Sequence, residues 1–344
     1  MMRRSRLPVT GILAACVLGT TLQVANAGSS HRVSAQAVPS HLYIMFLPGL
    51  CAYQGSDPYC HGNVNAQARA HGTFATLIAA LSKAKVKYTP LYFSYHVAQP
   101  GTYTVNDTHQ AVSRSVDALE AQLRTVWNRD HTARFDLVGH SLGGVIAASW
   151  AVSNGRWYGY QSSNGLLGRV NSIITFDSPL HGISSRYVNN IVMRLLGGTV
   201  WYSLQPDSET IKEITFFPDS WWKSTGHLHS IANSADEIVP PPEALLGDRK
   251  LVLDSRCSRD LGPLATCHGA VLSDVSLSTY VACHWITTFY QCSAPPKPTP
   301  TRTPAPTVTP TGTPTPVRTP TSTPSIPPPP AATSTATATA TPTR

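Results

Sequence analysis

The sequence predicts an α/β fold in which helices cover both faces of a mostly parallel sheet. Short apolar runs alternate along the chain with stretches of helical periodicity, which is the pattern of strand–helix–strand units. Some of these runs, such as residues 41–47, are continuously apolar, as expected of strands buried on both faces. With 344 residues and 42% hydrophobic side chains, the chain is long enough to bury a large core.

The predicted elements follow one another in a regular order. Strands are predicted from the apolar runs at residues 41–47, 87–94, 135–138, 170–176, 229–232 and 250–253. Helices are predicted where apolar positions recur every three or four residues or small apolar residues are concentrated, at residues 74–81, 108–127 and 142–152. Pro90 weakens the first half of the second strand, because proline cannot donate a hydrogen bond to a sheet ladder.

Residues 1–27 have the features of an export signal. Three arginines precede an apolar stretch at residues 7–22, and the segment closes on Ala-Asn-Ala at residues 25–27, the small-x-small pattern that signal peptidases cleave. The run Leu-Ala-Ala-Cys at residues 13–16 offers an alternative, since it resembles a bacterial lipobox that would place a lipid on Cys16. We expect a secreted protein, with a lipid anchor at Cys16 as the alternative.

Residues 294–344 differ in composition from the rest of the chain. They are dominated by proline, threonine, serine and alanine, and they hold 16 of the 29 prolines. So few large apolar side chains cannot offset the entropy of ordering, which predicts an extended, disordered tail. Such a tail is either a spacer that associates with the cell wall or an unattached end. Residues 28–293 are then the folded domain.

Most of the net charge of +8 lies outside the predicted domain. Seven basic residues lie in the two end segments, and the remaining 19 basic and 18 acidic residues nearly cancel. A surface that binds nucleic acid needs a basic patch. We therefore expect no nucleic-acid partner, and we expect a monomer.

Six cysteines follow the predicted export signal, in three couples whose members are about ten residues apart. The couples are Cys51 with Cys60, Cys257 with Cys267, and Cys283 with Cys292. This spacing favours three local disulfides in an oxidising compartment, although six cysteines allow other pairings. No Cys-x-x-Cys pair occurs, so we expect no zinc cluster, and the sequence predicts neither a metal nor a cofactor.

One motif suggests catalytic chemistry. Gly139-His140-Ser141-Leu142-Gly143-Gly144 stands between the strand predicted at 135–138 and the helix predicted at 142–152. A serine between glycines at a sharp strand-to-helix turn is the Gly-x-Ser-x-Gly nucleophile elbow, in which the glycines leave room for the turn. The alternative is a glycine-rich turn with a bystander serine.

On this motif the chain resembles the α/β-hydrolase family, and within it the secreted lipases and esterases with Gly-His-Ser-x-Gly-Gly. The resemblance covers residues 40–290 and implies an α/β-hydrolase fold with Ser141 as nucleophile. Phe46-Leu47-Pro48-Gly49-Leu50 resembles the family's oxyanion loop, except that Pro48 replaces a histidine. The resemblance implies that the backbone amides of Leu50 and Leu142 form the oxyanion hole.

The family order of serine, acid and histidine selects the other two catalytic candidates. His268, beside Cys267, resembles the loop histidine that reaches over the serine, with His284 as a competitor. Asp236 resembles the acid after the seventh strand. Asp177 is the alternative, because some lipases place the acid after the sixth strand.

An insertion at residues 184–225 is rich in aromatic and aliphatic side chains, which favours a cap over the serine and a hydrophobic ester or lipid substrate. The sequence thus predicts a carboxylic ester hydrolase. An acyltransferase or an amide or thioester hydrolase with the same triad is one alternative. A wall-tethered binding protein on a hydrolase scaffold is another.

Overall fold

Parallel strands form the centre of the protein, as the sequence predicts. The structure is a computed structural model that describes residues 40–51, 60, 62–97, 101–158, 165–184, 198–254 and 267–286. The strands are β1 (Leu42–Leu47), β2 (Asn63–Asn65), β3 (Thr89–Tyr92), β4 (Thr102–Thr104), β5 (Arg134–His140), β6 (Val170–Phe176), β7 (Leu228–Asn233) and β8 (Arg249–Leu253). The sheet has the spatial order β3-β1-β5-β6-β7-β8 with every pair parallel, and β2 pairs separately with β4 in antiparallel fashion.

Helices connect most of these strands. They are α1 (Ala66–Thr73), α2 (Ala75–Lys83), α3 (Val105–Thr108), α4 (Val112–Arg129), α5 (Leu142–Tyr158), α6 (Val200–Ser203), α7 (Glu209–Phe216), α8 (Asp219–Trp221), α9 (Pro241–Ala244) and α10 (Val275–His284). The helix predicted at 108–127 begins later, at Val112, because the preceding residues form α3 with its own capping box between Thr104 and Asp107. The helix predicted at 142–152 continues to Tyr158.

Successive residues of β1 enter two different hydrophobic cores. Ile44 and Phe46 pack with side chains of α2 and α10, whereas Met45 and Leu47 pack with side chains of α4 and α5. Because neighbouring side chains of a strand point to opposite faces of its sheet, helices cover both faces. This arrangement confirms the predicted fold class.

Pro90 lies on the edge strand β3, opposite Ile44 of β1. An edge strand tolerates proline, because the missing N–H can face away from the neighbouring strand. The strand predicted at 87–94 is therefore present in shortened form, as Thr89–Tyr92.

The described part of the predicted cap insertion packs mainly against the domain. Trp201, Trp221 and Trp222 are buried in the same core as α5, while Tyr202 and Phe216 are exposed. Residues 185–197 lie outside the described residues, as do the predicted export signal with Cys16 and the tail at 294–344. The domain boundaries remain predictions.

The disulfide predicted between Cys51 and Cys60 is present. Cys267 and Cys283 are also disulfide-bonded, but their predicted partners lie outside the described residues, so those two pairings remain predictions. Within the ranges that the structure describes, no helix is both long and apolar enough to span a membrane.

Asp136, in the middle of β5, is a fully buried carboxyl group whose Oδ1 accepts a hydrogen bond from Ser172 Oγ at 2.8 Å. Burial raises the pKa of Asp136 to about 8, although hydrogen bonds from Ser172 and Asn171 oppose the shift. A carboxyl group with a raised pKa in the folded state destabilises the fold increasingly as the pH rises from its unfolded pKa towards the folded one.

We therefore expect Asp136→Asn to raise the melting temperature at pH 8 more than at pH 5, because asparagine keeps the acceptor and carries no charge. Thermal unfolding of both proteins at the two pH values measures the effect. An equal shift at both pH values would contradict it.

Candidate active site

The candidate catalytic residues follow successive strands of the sheet. Ser141 comes directly after β5, Asp177 after β6 and Asp236 shortly after β7, and His268 lies between β8 and α10. The strands are parallel, so their carboxyl ends meet at one edge of the sheet, which is where open α/β sheets place their ligand sites.

Ser141 occupies the sharp turn between β5 and α5. Its φ of 53° lies in the left-handed region, which costs free energy for a residue with a side chain and is typical of functional sites. Its amide donates to the carbonyl of Phe176 on β6 at 2.9 Å, which holds the turn against the sheet. A Cβ on Gly139 would stand 2.5 Å from Gly144 Cα, so the turn needs glycine there.

A continuous chain of hydrogen bonds connects three side chains. Ser141 Oγ lies 2.7 Å from His268 Nε2, and His268 Nδ1 lies 2.7 Å from Asp236 Oδ2. A carboxylate only accepts, so Nδ1 carries the proton and Nε2 accepts the hydrogen bond of the serine hydroxyl. The structure thus brings together Ser141, His268 and Asp236, although 127 residues separate the first two.

The loop after β7 holds the carboxylate of Asp236 in place. Asp236 Oδ1 accepts from the amides of Ile238 at 2.8 Å and Val239 at 3.1 Å, leaving Oδ2 for His268. The Asp236 side chain is inaccessible to solvent. A carboxylate with this many donors stays fixed in one orientation.

Asp177, the alternative acid, accepts hydrogen bonds from the backbone at the end of β7 and beside His268. Its Oδ1 accepts from the amide of Asn233 at 2.8 Å, and its Oδ2 accepts from the amide of Gly269 at 3.1 Å. Asn233 Nδ2 in turn donates to the carbonyl of Cys267 at 3.0 Å. The residues on both sides of His268 are therefore tied to the ends of β6 and β7.

The carboxylates of Asp236 and Asp177 also raise the pKa of His268. Burial by itself lowers the pKa of His268, but the hydrogen bond and charge of Asp236, together with the charge of Asp177, raise it above its ordinary value. Burial raises the pKa of Asp177 to about 6, against the opposing charge of His268.

The two residues predicted to form the oxyanion hole through their backbone amides, Leu50 and Leu142, adjoin residues at the serine. Leu142 begins α5 directly after the serine, and a Cβ on Gly49 would stand 2.8 Å from Ser141 Cβ. Among the residues that the structure describes, no protein group accepts a hydrogen bond from either amide. Their role as an oxyanion hole remains a prediction.

A serine at a strained strand-to-helix turn on a parallel sheet, followed in the chain by an acid and then a histidine, is the arrangement of one fold. The fold is that of an α/β-hydrolase. No protein-family model matches the chain, and no curated protein sequence is similar to it.

Among solved structures, the α/β-hydrolase domain is similar to a mature lipase of Bacillus licheniformis, with 16% identity over 63% of this chain and 84% of that one and a TM-score of 0.37. A metagenomic carboxyl esterase has 10% identity over 72% and 76% of the two chains and a TM-score of 0.41. Phospholipase PlaB of Legionella pneumophila, in complex with thio-NAD, has 15% identity over 56% of this chain and a TM-score of 0.36. The chain spans only 38% of the length of PlaB.

His140, Asp177 and His268 carry potential metal-ligand atoms within 4.8 Å of one another. Both ring nitrogens of His268 already have partners at 2.7 Å, and both oxygens of Asp177 accept backbone amides. A metal would have to displace these contacts. Protein hydrogen bonds therefore account for His268 and Asp177, whereas His140 Nε2 is buried without a hydrogen-bond partner among the described residues. The absence of a metal remains a prediction.

His284, the competitor of His268, lies at the end of α10, where its ring packs at a tilt against Tyr280 with centroids 4.6 Å apart. Four further residues support this site without a recognisable sequence signal. Asn233 holds the histidine loop, and Arg69, Tyr95 and His109 contact the loop after β1. Their contacts join distant parts of the chain, so no local pattern could have identified them.

Proposed function

We propose that this protein is a secreted serine hydrolase that cleaves carboxylic esters with hydrophobic acyl groups. The observation that carries the proposal is the hydrogen-bond chain from Asp236 through His268 to Ser141, with both links at 2.7 Å. Such a chain lets a serine hydroxyl lose its proton as it attacks a carbonyl carbon.

In the proposed mechanism, Ser141 Oγ attacks the ester carbonyl while its proton passes to His268 Nε2. Asp236 holds Nδ1–H and stabilises the imidazolium that forms. The amides of Leu50 and Leu142 donate to the oxyanion of the tetrahedral intermediate. His268 then returns the proton to the leaving alcohol, and water activated by the same histidine hydrolyses the acyl-enzyme.

A panel of p-nitrophenyl esters from acetate to long acyl chains tests the reaction. We expect hydrolysis of the series, with higher kcat/KM for acyl chains longer than acetate. Matched amides and thioesters test the other bonds, and added alcohols test acyl transfer. No turnover of any of these compounds would contradict the proposal and favour a binding protein on a hydrolase scaffold.

Activity should be lost on the acid side with a midpoint above pH 6.5, because protonated His268 cannot accept the serine proton and its pKa is raised from that value. The charge of Asp177 contributes to this shift. Asp177→Asn should therefore move the midpoint of the kcat/KM profile towards lower pH. A midpoint that moves upward or stays in place would contradict this account.

A further inference from the structure

The loop Pro48-Gly49-Leu50 after β1 lacks a histidine that could orient it, yet hydrogen bonds fix each of its carbonyl groups. The single proton of the Tyr95 hydroxyl is shared between two carbonyl groups of the loop, Pro48 O at 2.7 Å and Gly49 O at 3.2 Å from Oη. Tyr95 follows the edge strand β3, and only 1% of its surface is exposed. Burial raises the pKa of Tyr95, so its hydroxyl remains protonated and can donate.

The third carbonyl of the loop is held by a buried guanidinium group. Arg69 on α1 donates from Nη2 to Leu50 O at 3.0 Å and from Nη1 to Tyr103 Oη at 2.8 Å. The next residue is held as well, since Thr108 Oγ1 accepts from Cys51 N at 3.2 Å. Tyr95, Arg69 and Thr108 come from three different segments of the chain, and each forms a hydrogen bond with the backbone of residues 48–51.

Peptide planarity converts these contacts into an orientation for one N–H group. The carbonyl of Gly49 and the amide of Leu50 belong to the same planar unit and point in opposite directions. Fixing Gly49 O therefore fixes the direction of Leu50 N–H, the amide that is left without a protein acceptor among the described residues. The hydrogen bond to Leu50 O fixes the following plane in the same way.

We propose that Tyr95 is a positioning residue for ester hydrolysis, whose hydroxyl holds the Gly49–Leu50 peptide so that Leu50 N–H faces the oxyanion, with Arg69 fixing the next peptide. The inference rests on the proposed function. The Tyr95 hydroxyl, which comes from another segment of the chain, orients the loop, a role that the ring of Pro48 cannot perform. Preorganised donors of this kind are most effective when they need no rearrangement during the reaction.

Tyr95→Phe tests the inference, because phenylalanine keeps the ring contacts with Phe93 and Tyr103 and removes only the hydroxyl. We expect kcat for a p-nitrophenyl ester to fall about 10- to 100-fold with KM within about threefold of wild type, since loss of one oxyanion donor costs on the order of 100-fold or more and a misplaced donor less. The inhibition constant of phenylboronic acid, which forms a tetrahedral adduct with serine, should rise by about the same factor.

Tyr43→Phe is the matched control. Tyr43 lies near the start of β1, the strand before the loop, and donates to Asp130 Oδ2 at 3.0 Å. The Tyr43→Phe protein therefore also loses one tyrosine hydrogen bond, but not one to the loop. We expect its kcat and boronate inhibition to match wild type. Arg69→Lys is a second variant, expected to lower kcat in the same manner, and it decides the matter should Tyr95→Phe fail to fold.

A Tyr95→Phe protein that melts at a lower temperature but keeps wild-type kcat and boronate inhibition would overturn the inference and leave the proposed function intact. Wild-type protein that neither hydrolyses esters nor binds the boronate would overturn both.

Discussion

Ser141→Ala is expected to lower kcat for p-nitrophenyl esters by about 10⁴- to 10⁶-fold, because the remaining groups have no nucleophile to activate. The melting temperature should stay close to that of wild type, since the hydroxyl contributes one hydrogen bond, to His268, and the backbone strain at φ 53° is the same for alanine. Steady-state kinetics and thermal unfolding measure the two effects.

Ser153→Ala on α5, the helix that follows Ser141, is the matched control. It lies twelve residues along α5 from Ser141, or about 18 Å along a helix axis, and makes the same chemical change. We expect full activity from it. A Ser141→Ala protein that retains more than a small fraction of wild-type turnover would refute the assigned nucleophile.

The two acid candidates should respond differently to the same substitution. Asp236→Asn is expected to lower kcat about 10⁴-fold, because an amide no longer holds His268 in the tautomer that accepts the serine proton. Asp177→Asn should keep kcat within about tenfold of wild type and lower the melting temperature, because one carboxamide oxygen cannot replace two carboxylate oxygens that accept from Asn233 and Gly269.

Each variant serves as the control for the other, since both lose one buried carboxylate at the same edge of the sheet. Kinetics at the optimum pH, together with thermal unfolding, separate the two roles. The reversed pattern, with Asp177→Asn inactive and Asp236→Asn active, would move the acid to the end of β6.

Much of the fold could be predicted because its signals are local. The strand predicted at 170–176 is present with the same bounds, since β-branched and aromatic side chains such as those of Val170, Ile173 and Phe176 favour a strand. The short pair β2 and β4 was missed. Three residues, such as Asn63–Asn65, are too few to show an alternating pattern.

The residues of the candidate site also differ in whether their sequence signals are local. Ser141 could be located because the glycines around it and the turn it needs are adjacent in the sequence. Asp236 could be preferred to Asp177 only on its resemblance to the family's acid, because both follow strands that end at the same edge and their difference lies in where the oxygens point. The roles of Asn233, Tyr95 and Arg69 depend on contacts that span 19 to 47 residues.

Fluorophosphonate labelling tests the central claim most directly, because the probe reacts covalently only with an activated serine. We expect one label per molecule, found by mass spectrometry on the peptide that contains Ser141, and no label in the His268→Ala protein, whose serine has no base. Labelling of a different serine, or wild-type protein that does not react, would contradict the account.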